Sequence, residues 1–168
     1  MAESDETGDR LIGAIRRNWP DNASTATELV VRLFRLRDLV WSRSNARVRR
    51  AGLTWGEFEA LAALTSGGPP FQMTPTEIAR LMLVTSGGLT KILQSLEAKG
   101  LVRRAGNRAD GRSCFIERTE AGARQIEELA GSLTADSERL FTSTLTATEQ
   151  KRLLGSLEKL TRAEEKAR

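Results

Sequence analysis

Apolar residues recur every three or four positions along nearly all of this chain, and strand-like runs interrupt that rhythm only once. Leu101 to Arg104 and Ser113 to Arg118 are short runs flanking Ala-Gly-Asn-Arg-Ala-Asp-Gly-Arg, an eight-residue link with two glycines that reads as a hairpin. Everywhere else the spacing is helical. Leu29, Leu33, Leu36 and Val40 form one stripe, and Val30, Phe34 and Trp41 a second, on a helix expected from Ala23 to Arg50. Two stripes on one helix mean two buried faces, one for its own domain and one for a partner chain. One hairpin among six or seven helices makes the fold mainly α, with a small β-hairpin wing.

Local signals set the boundaries. Leu11, Ile12, Ile15 and Trp19 suit a short amphipathic helix over residues 9–19, stopped by Pro20. Residues 1–8 lack apolar side chains and are expected to form a disordered tail. Thr54-Trp-Gly-Glu57, Thr74-Pro-Thr-Glu77 and Thr146-Ala-Thr-Glu149 have the form of capping boxes, each opening a helix. Thr119 starts the helix that carries Ile126, Leu129, Leu133, Leu140 and Phe141; Leu153, Leu154, Leu157 and Leu160 line the last one. The tetrapeptide Thr-Ser-Gly-Gly occurs at 65–68 and at 85–88 with opposite meanings. The first copy runs into Pro69-Pro70 and ends a helix. The second runs into Leu89, Ile92, Leu93 and Leu96 and starts one.

Composition removes whole classes of chemistry. The 168 residues contain no histidine and one cysteine. Imidazole acid/base catalysis, Ser-His and Cys-His nucleophiles, His-containing metal sites, an internal disulfide and a Cys-rich zinc site are all excluded. No nucleotide loop is present either, so no catalytic residues, cofactor or metal are expected, and the chain is not read as an enzyme. The opening Met-Ala-Glu-Ser-Asp-Glu is acidic, unlike a secretory signal, and no run of about 20 apolar residues exists. A cytoplasmic protein without a membrane partner is expected. Net charge is −3 over residues 1–31, +4 over 32–73, +4 over 74–118 and −1 over 119–168. The positive charge therefore lies in the middle, where a polyanion would be met.

Two short helices, a tight turn and a two-stranded ribbon describe a winged helix-turn-helix over 54–118. Its second helix, Thr85 to Lys99, buries Leu89, Ile92, Leu93 and Leu96 and leaves Ser86, Gly87, Thr90, Lys91 and Gln94 on the other side. Ser, Thr and Gln can hydrogen-bond base edges, Lys91 can reach a guanine or a phosphate, and glycine lets a backbone come close. Thr74, Thr76 and Thr85 complete the surface expected to face DNA. At the hairpin tip, an arginine on a thin ribbon suits a narrow minor groove. Arg108 and Arg112 supply the charge, and Asp110 makes sense as a brace for Arg112.

The order of these motifs resembles the MarR family of transcriptional regulators. The resemblance is carried by Leu53-Thr54 with Phe58 and Leu61, by Thr74-Pro-Thr-Glu77-Ile-Ala79, and by Ser86 with Thr90. It continues through Leu96-Glu97-Ala-Lys-Gly100-Leu101-Val102-Arg103-Arg104, Asp110-Gly-Arg112-Ser and Thr119-Glu-Ala-Gly122. It covers about residues 25–165. Arg118 stands where the family usually has an aliphatic residue, and Glu120 replaces a common proline. The resemblance implies a homodimer built from helices in 9–50 and 119–165, within a single domain over 9–165. Each subunit would offer one winged helix to half of a palindromic operator in double-stranded DNA, Ser86, Thr90 and Lys91 toward the major groove and Arg112 toward the minor. The apolar excess supports the dimer independently: Ile12, Ile15, the second stripe of the long helix and the leucines after 150 exceed what a small winged domain needs to cover.

Many members of the family release DNA, usually as repressors, on binding small aromatic or lipophilic acids. The corresponding wall residues here are Trp19, Trp41, Trp55, Phe58 and Glu59. Urate-responsive members share a short N-terminal helix and an acid that Glu59 could match, but carry an arginine where this chain has Ile92, which argues against urate. Cys114 is expected as a small buried apolar residue, with redox sensing through a thiol near Arg112 as the other reading. The rival to DNA binding is a winged-helix protein-interaction module.

Overall fold

The computed structural model describes residues 6–106 and 114–167 and divides the chain into two compact units, residues 1–55 and 56–168. In the first unit, α1 (Glu6–Asn18) leads through a one-turn 3₁₀ segment at Pro20–Asn22 into α2 (Thr25–Arg50). The first helix starts at Glu6, inside the stretch expected to be a disordered tail. Ser24 caps α2 by accepting the Thr27 N–H at 3.1 Å. Arg32 ties the two helices, reaching Asp9 at 3.0 Å and Glu28 at 2.9 Å, while Arg16 reaches Glu28 at 2.7 Å. These pairs are solvent-exposed and add little stability each. Ile12 is buried, so the surface it was expected to offer a partner is already covered. Both stripes of α2 remain largely open: Leu29, Val30, Leu33, Phe34, Leu36 and Trp41 are exposed and Val40 is half-buried.

The second unit holds α3 (Trp55–Ser66, entered from the preceding residue), β1 (Gln72–Met73), α4 (Pro75–Met82), α5 (Ser86–Ala98), β2 (Val102–Gly106), β3 (Cys114–Arg118), α6 (Glu120–Thr144) and α7 (Ala147–Lys166). Its core draws one or two residues from most elements: Leu61 and Leu64, Ile78, Leu89 and Leu96, Val102, Ile116, Ile126. The sheet is antiparallel with order β1-β3-β2, so the expected two-stranded ribbon has a third strand. That strand is two residues long and exists only because β3 offers it a paired edge. It carries no periodicity of its own.

Two glycines make the joints. Gly100 follows α5 with φ +69°, a conformation that L side chains rarely adopt. The Leu101 N–H then bonds the Leu96 carbonyl at 2.9 Å and the Gly100 N–H bonds that of Glu97 at 2.9 Å, a Schellman closure with Leu96 and Leu101 both buried. β2 begins at the next residue. Gly122, in the first turn of α6, lies under the same junction, and a Cβ there would overlap the Leu101 carbonyl oxygen. Thr119 pins the junction from the other side, its hydroxyl donating to the Gly100 carbonyl at 2.8 Å and its N–H to that of Leu101 at 3.1 Å.

Candidate nucleic-acid interface

Thr74 opens α4 with a complete capping box. Its hydroxyl accepts the Glu77 N–H at 3.3 Å, and its own N–H donates to the Glu77 carboxylate at 2.7 Å. Those donors from Thr74 hold the Glu77 carboxyl below its ordinary range, first through the backbone N–H and then through the hydroxyl. Pro75 takes the first helical position, where a missing N–H costs nothing. Thr74 is half-buried and Thr76 exposed. The helix stops at Leu83, which adopts a left-handed conformation (φ 53°) although it is not glycine and is 90% exposed. Two residues on, Thr85 caps α5 by accepting the Gly88 N–H at 3.3 Å.

The sides of α5 separate as the spacing predicts. Leu89, Leu93 and Leu96 are buried and Ile92, expected beside them, is half-buried, while Thr85, Ser86, Gly87, Thr90, Lys91 and Gln94 are all exposed. The Thr90 hydroxyl donates to the Ser86 carbonyl at 2.9 Å. Its hydrogen is thereby committed, and Thr90 presents a methyl group and acceptor lone pairs. Around the position a Gly87 Cβ would take, nothing lies within 4 Å. Beside this face, Pro75, Thr76, Ala79, Ser86, Thr90 and Arg104 help to line a cavity of about 220 Å³.

The wing is paired from Val102 opposite Arg118 to Gly106 opposite Cys114. Arg103 and Glu117 face each other across the strands and form a two-pronged pair, at 3.0 and 2.8 Å. The Arg103 hydrogen bonds pull the Glu117 carboxyl below its ordinary range, and Glu117 raises Arg103 in turn. Arg104 reaches Glu97 of α5 at 3.3 Å and the Cys114 sulfur at 3.6 Å, and both contacts, Glu97 first, raise its pKa. Cys114 is half-buried and takes part in this polar contact, which corrects the reading of it as a buried apolar filler. Arg108, Asp110 and Arg112 lie outside the described residues.

The residues expected to wall a ligand site divide between the units. Trp19 and Trp41 belong to the first and are exposed, with Arg37 lying 5.9 Å from the Trp41 ring centre. Trp55, Phe58 and Glu59 occupy the first turns of α3 and are half-buried. No cluster of histidine, cysteine, aspartate or glutamate able to hold a metal ion occurs among the described residues. Nor is any described helix long and apolar enough to cross a membrane.

Two features had no sequence signal. The Arg118 side chain is 7% exposed and packs over the Phe71 ring, donating to the Thr65 hydroxyl at 3.0 Å. Glu57, 1% exposed, receives the Lys99 ammonium on both carboxylate oxygens, at 2.7 and 2.8 Å.

A model of the MarR family matches residues 51–113, which takes in α3 and the helix-turn-helix and runs into the wing. An uncharacterised HTH-type transcriptional regulator of Bacillus cereus is 29% identical over 136 residues, covering 81% of this chain and 88% of that protein. Residues 51–113 therefore carry the MarR family pattern, and the chain is similar to transcriptional regulators over most of its length. Wild-type MarR of E. coli in its apo form superposes with a TM-score of 0.63 at 28% identity, covering 76% of this chain and 96% of that one. Sco3205 of Streptomyces coelicolor, a MarR family transcriptional regulator whose structure is a complex with DNA, shares the fold at a TM-score of 0.68 and 23% identity, covering 83% and 90%. MarR family proteins are transcriptional regulators and not enzymes.

Proposed function

We propose that this protein is a MarR family DNA-binding transcriptional regulator that acts in the cytoplasm as a homodimeric repressor and leaves its operator when a small ligand binds. The observation that carries the reading is the exposed face of α5. Six small or polar residues from Thr85 to Gln94 lie open on the side opposite its buried leucines. That side can enter a major groove: Ser86, Thr90 and Gln94 offer hydrogen bonds to base edges, and Lys91 offers a charge. Arg108 and Arg112, with Asp110 as a brace, take the minor groove in this reading. Sco3205, which shares the fold and whose structure is a complex with DNA, supports DNA as the partner.

The apolar surface left open on α2 and on α7, where Leu154, Leu157 and Leu160 are exposed, supports a second copy as partner. A two-fold dimer would set its recognition helices about 34–36 Å apart, one turn of DNA, and so call for a palindromic site. Ligand relief rests on family resemblance and on Trp19, Trp41, Trp55, Phe58 and Glu59 as wall residues. A thermal-shift screen of aromatic carboxylates tests it directly.

The competing reading is a protein-interaction module. It draws on Arg103 and Arg104, whose charges are already paired with Glu117 and Glu97. Selection of duplexes from a random pool, followed by titration in rising salt, separates the two. DNA contacts require an enriched palindrome and a log K that falls by about 0.9 per phosphate for each unit of log salt. An unenriched pool leaves only the interaction module.

A further inference from the structure

The first turn of α3 meets α5 at two places. At Gly56 a Cβ would fall 2.9 Å from the Ile92 Cδ1, so the missing side chain makes the notch in which Ile92 sits. One residue on, Glu57 holds the Lys99 ammonium with both carboxylate oxygens. Ile92 and Lys99 are seven apart, two turns along one side of α5. A notch alone would let the helix slide or tilt, and an ion pair alone would let it pivot. Together they fix both its rotation and its advance along its own axis. The charges also sit where helix ends favour them, Glu57 in the first turn of α3 and Lys99 at the C-cap of α5.

The pair is a poor device for stability. Desolvating a carboxylate offsets much of what its partner returns, and apolar pairs of similar volume often do as well. What an apolar pair lacks is direction. We propose that Glu57 and Lys99 are positioning residues that set the pose of α5 for DNA recognition, with the Gly56 notch as their second anchor. This inference rests on the DNA-binding reading. It assigns a role in recognition to residues that touch no base.

The test uses the full chain and a duplex enriched by the parent protein from a random-sequence pool. In the variant Glu57→Leu/Lys99→Met both charges are replaced by apolar groups, and thermal unfolding reports whether the fold is kept. With a melting temperature within a few degrees of the parent, affinity for the selected duplex is expected to drop at least fivefold. Affinity for an unrelated duplex and the salt dependence of binding should not change. Glu57→Gln, which keeps the shape and an acceptor, covers the case in which the double variant does not fold, with an expected threefold loss. Lys99→Arg, which keeps the charge, should stay within twofold of the parent. Parent-like affinity in a folded Glu57→Leu/Lys99→Met or in Glu57→Gln overturns the proposal. So does a salt slope shallower by about 0.9, because Lys99 would then be a phosphate contact itself. A parent that enriches no duplex overturns the DNA-binding reading, and the positioning role with it.

Discussion

The guanidinium carbon of Arg118 lies 4.2 Å from the centre of the Phe71 ring. The ring lies in the loop before β1, and the arginine ends β3, so the stack closes the root of the wing. The Arg118 N–H donates to the Phe71 carbonyl at 3.1 Å, and the side chain donates to Thr65 of α3. Glu127 lies 3.8 Å away but is well exposed, and contributes little. A buried cation over a ring is worth about 2 kcal/mol and a hydrogen bond from a charged donor about 1.5–3. Arg118→Ala should therefore lower unfolding free energy by about 2–4 kcal/mol in urea titration. Arg118→Lys, which loses the planar stack, should fall between. A loss below 0.5 kcal/mol in the alanine variant would show that the stack carries no weight.

Gly122 is held to glycine by backbone, which cannot move aside as a side-chain tip can. Gly122→Ala should destabilise the protein by about 1–3 kcal/mol, the usual cost of overpacking, despite alanine's better helix propensity. Chemical denaturation reads this directly. An alanine variant as stable as the parent would mean that α6 shifts freely against the α5–β2 junction.

Gly87 is the contrasting case. Its side is open, so Gly87→Ala meets no clash and should raise helix stability by a few tenths to about 1 kcal/mol. If a duplex approaches the start of α5 closely, the same methyl group must weaken operator binding. A variant with a higher melting temperature and a lower affinity is the expected result. Equal affinity would place the DNA backbone farther from Gly87 than proposed.

Several carboxyls are held below their ordinary range, among them Glu77 and Glu149 by their own capping threonines, Glu28 by Arg32 and Arg16, and Glu117 by Arg103. A depressed folded-state pKa gives stability that is complete above the unfolded value, about 4.3 for glutamate. That stability is lost as pH falls through the lower, folded value. Melting temperature should therefore be flat in these contributions above about pH 5 and drop below it. In Glu77→Gln/Glu149→Gln the acid drop should be shallower, by circular dichroism. Identical acid profiles would remove the capping carboxylates as a source of acid sensitivity.

What could be read beforehand follows from range in sequence. The capping boxes at Thr74 and Thr146 span four residues, and both form as read. The sides of α5 follow from a 3.6-residue period, and its exposed residues are those the spacing gave. β1 was not legible, because Gln72 and Met73 become a strand only through Glu117 and Ile116 of β3. Arg118 looked like a departure from a family pattern, and its partners Phe71 and Thr65 are distant in sequence. Glu57 was legible only as a cap, since its ammonium partner is 42 residues away. At Leu83 the chain takes a left-handed turn without glycine, so no turn residue announced it.

The closure at Gly100 leaves no slack between α5 and the ribbon that follows. Leu101 is at once the clamp on Leu96, the residue before β2 and the acceptor for Thr119. A twist given to the helix has nowhere to dissipate before it reaches the strands. The two parts therefore behave as a crank and its handle. Where the handle is aimed is inherited from the crank, and evolution could retune one alone only by loosening residues 99–101.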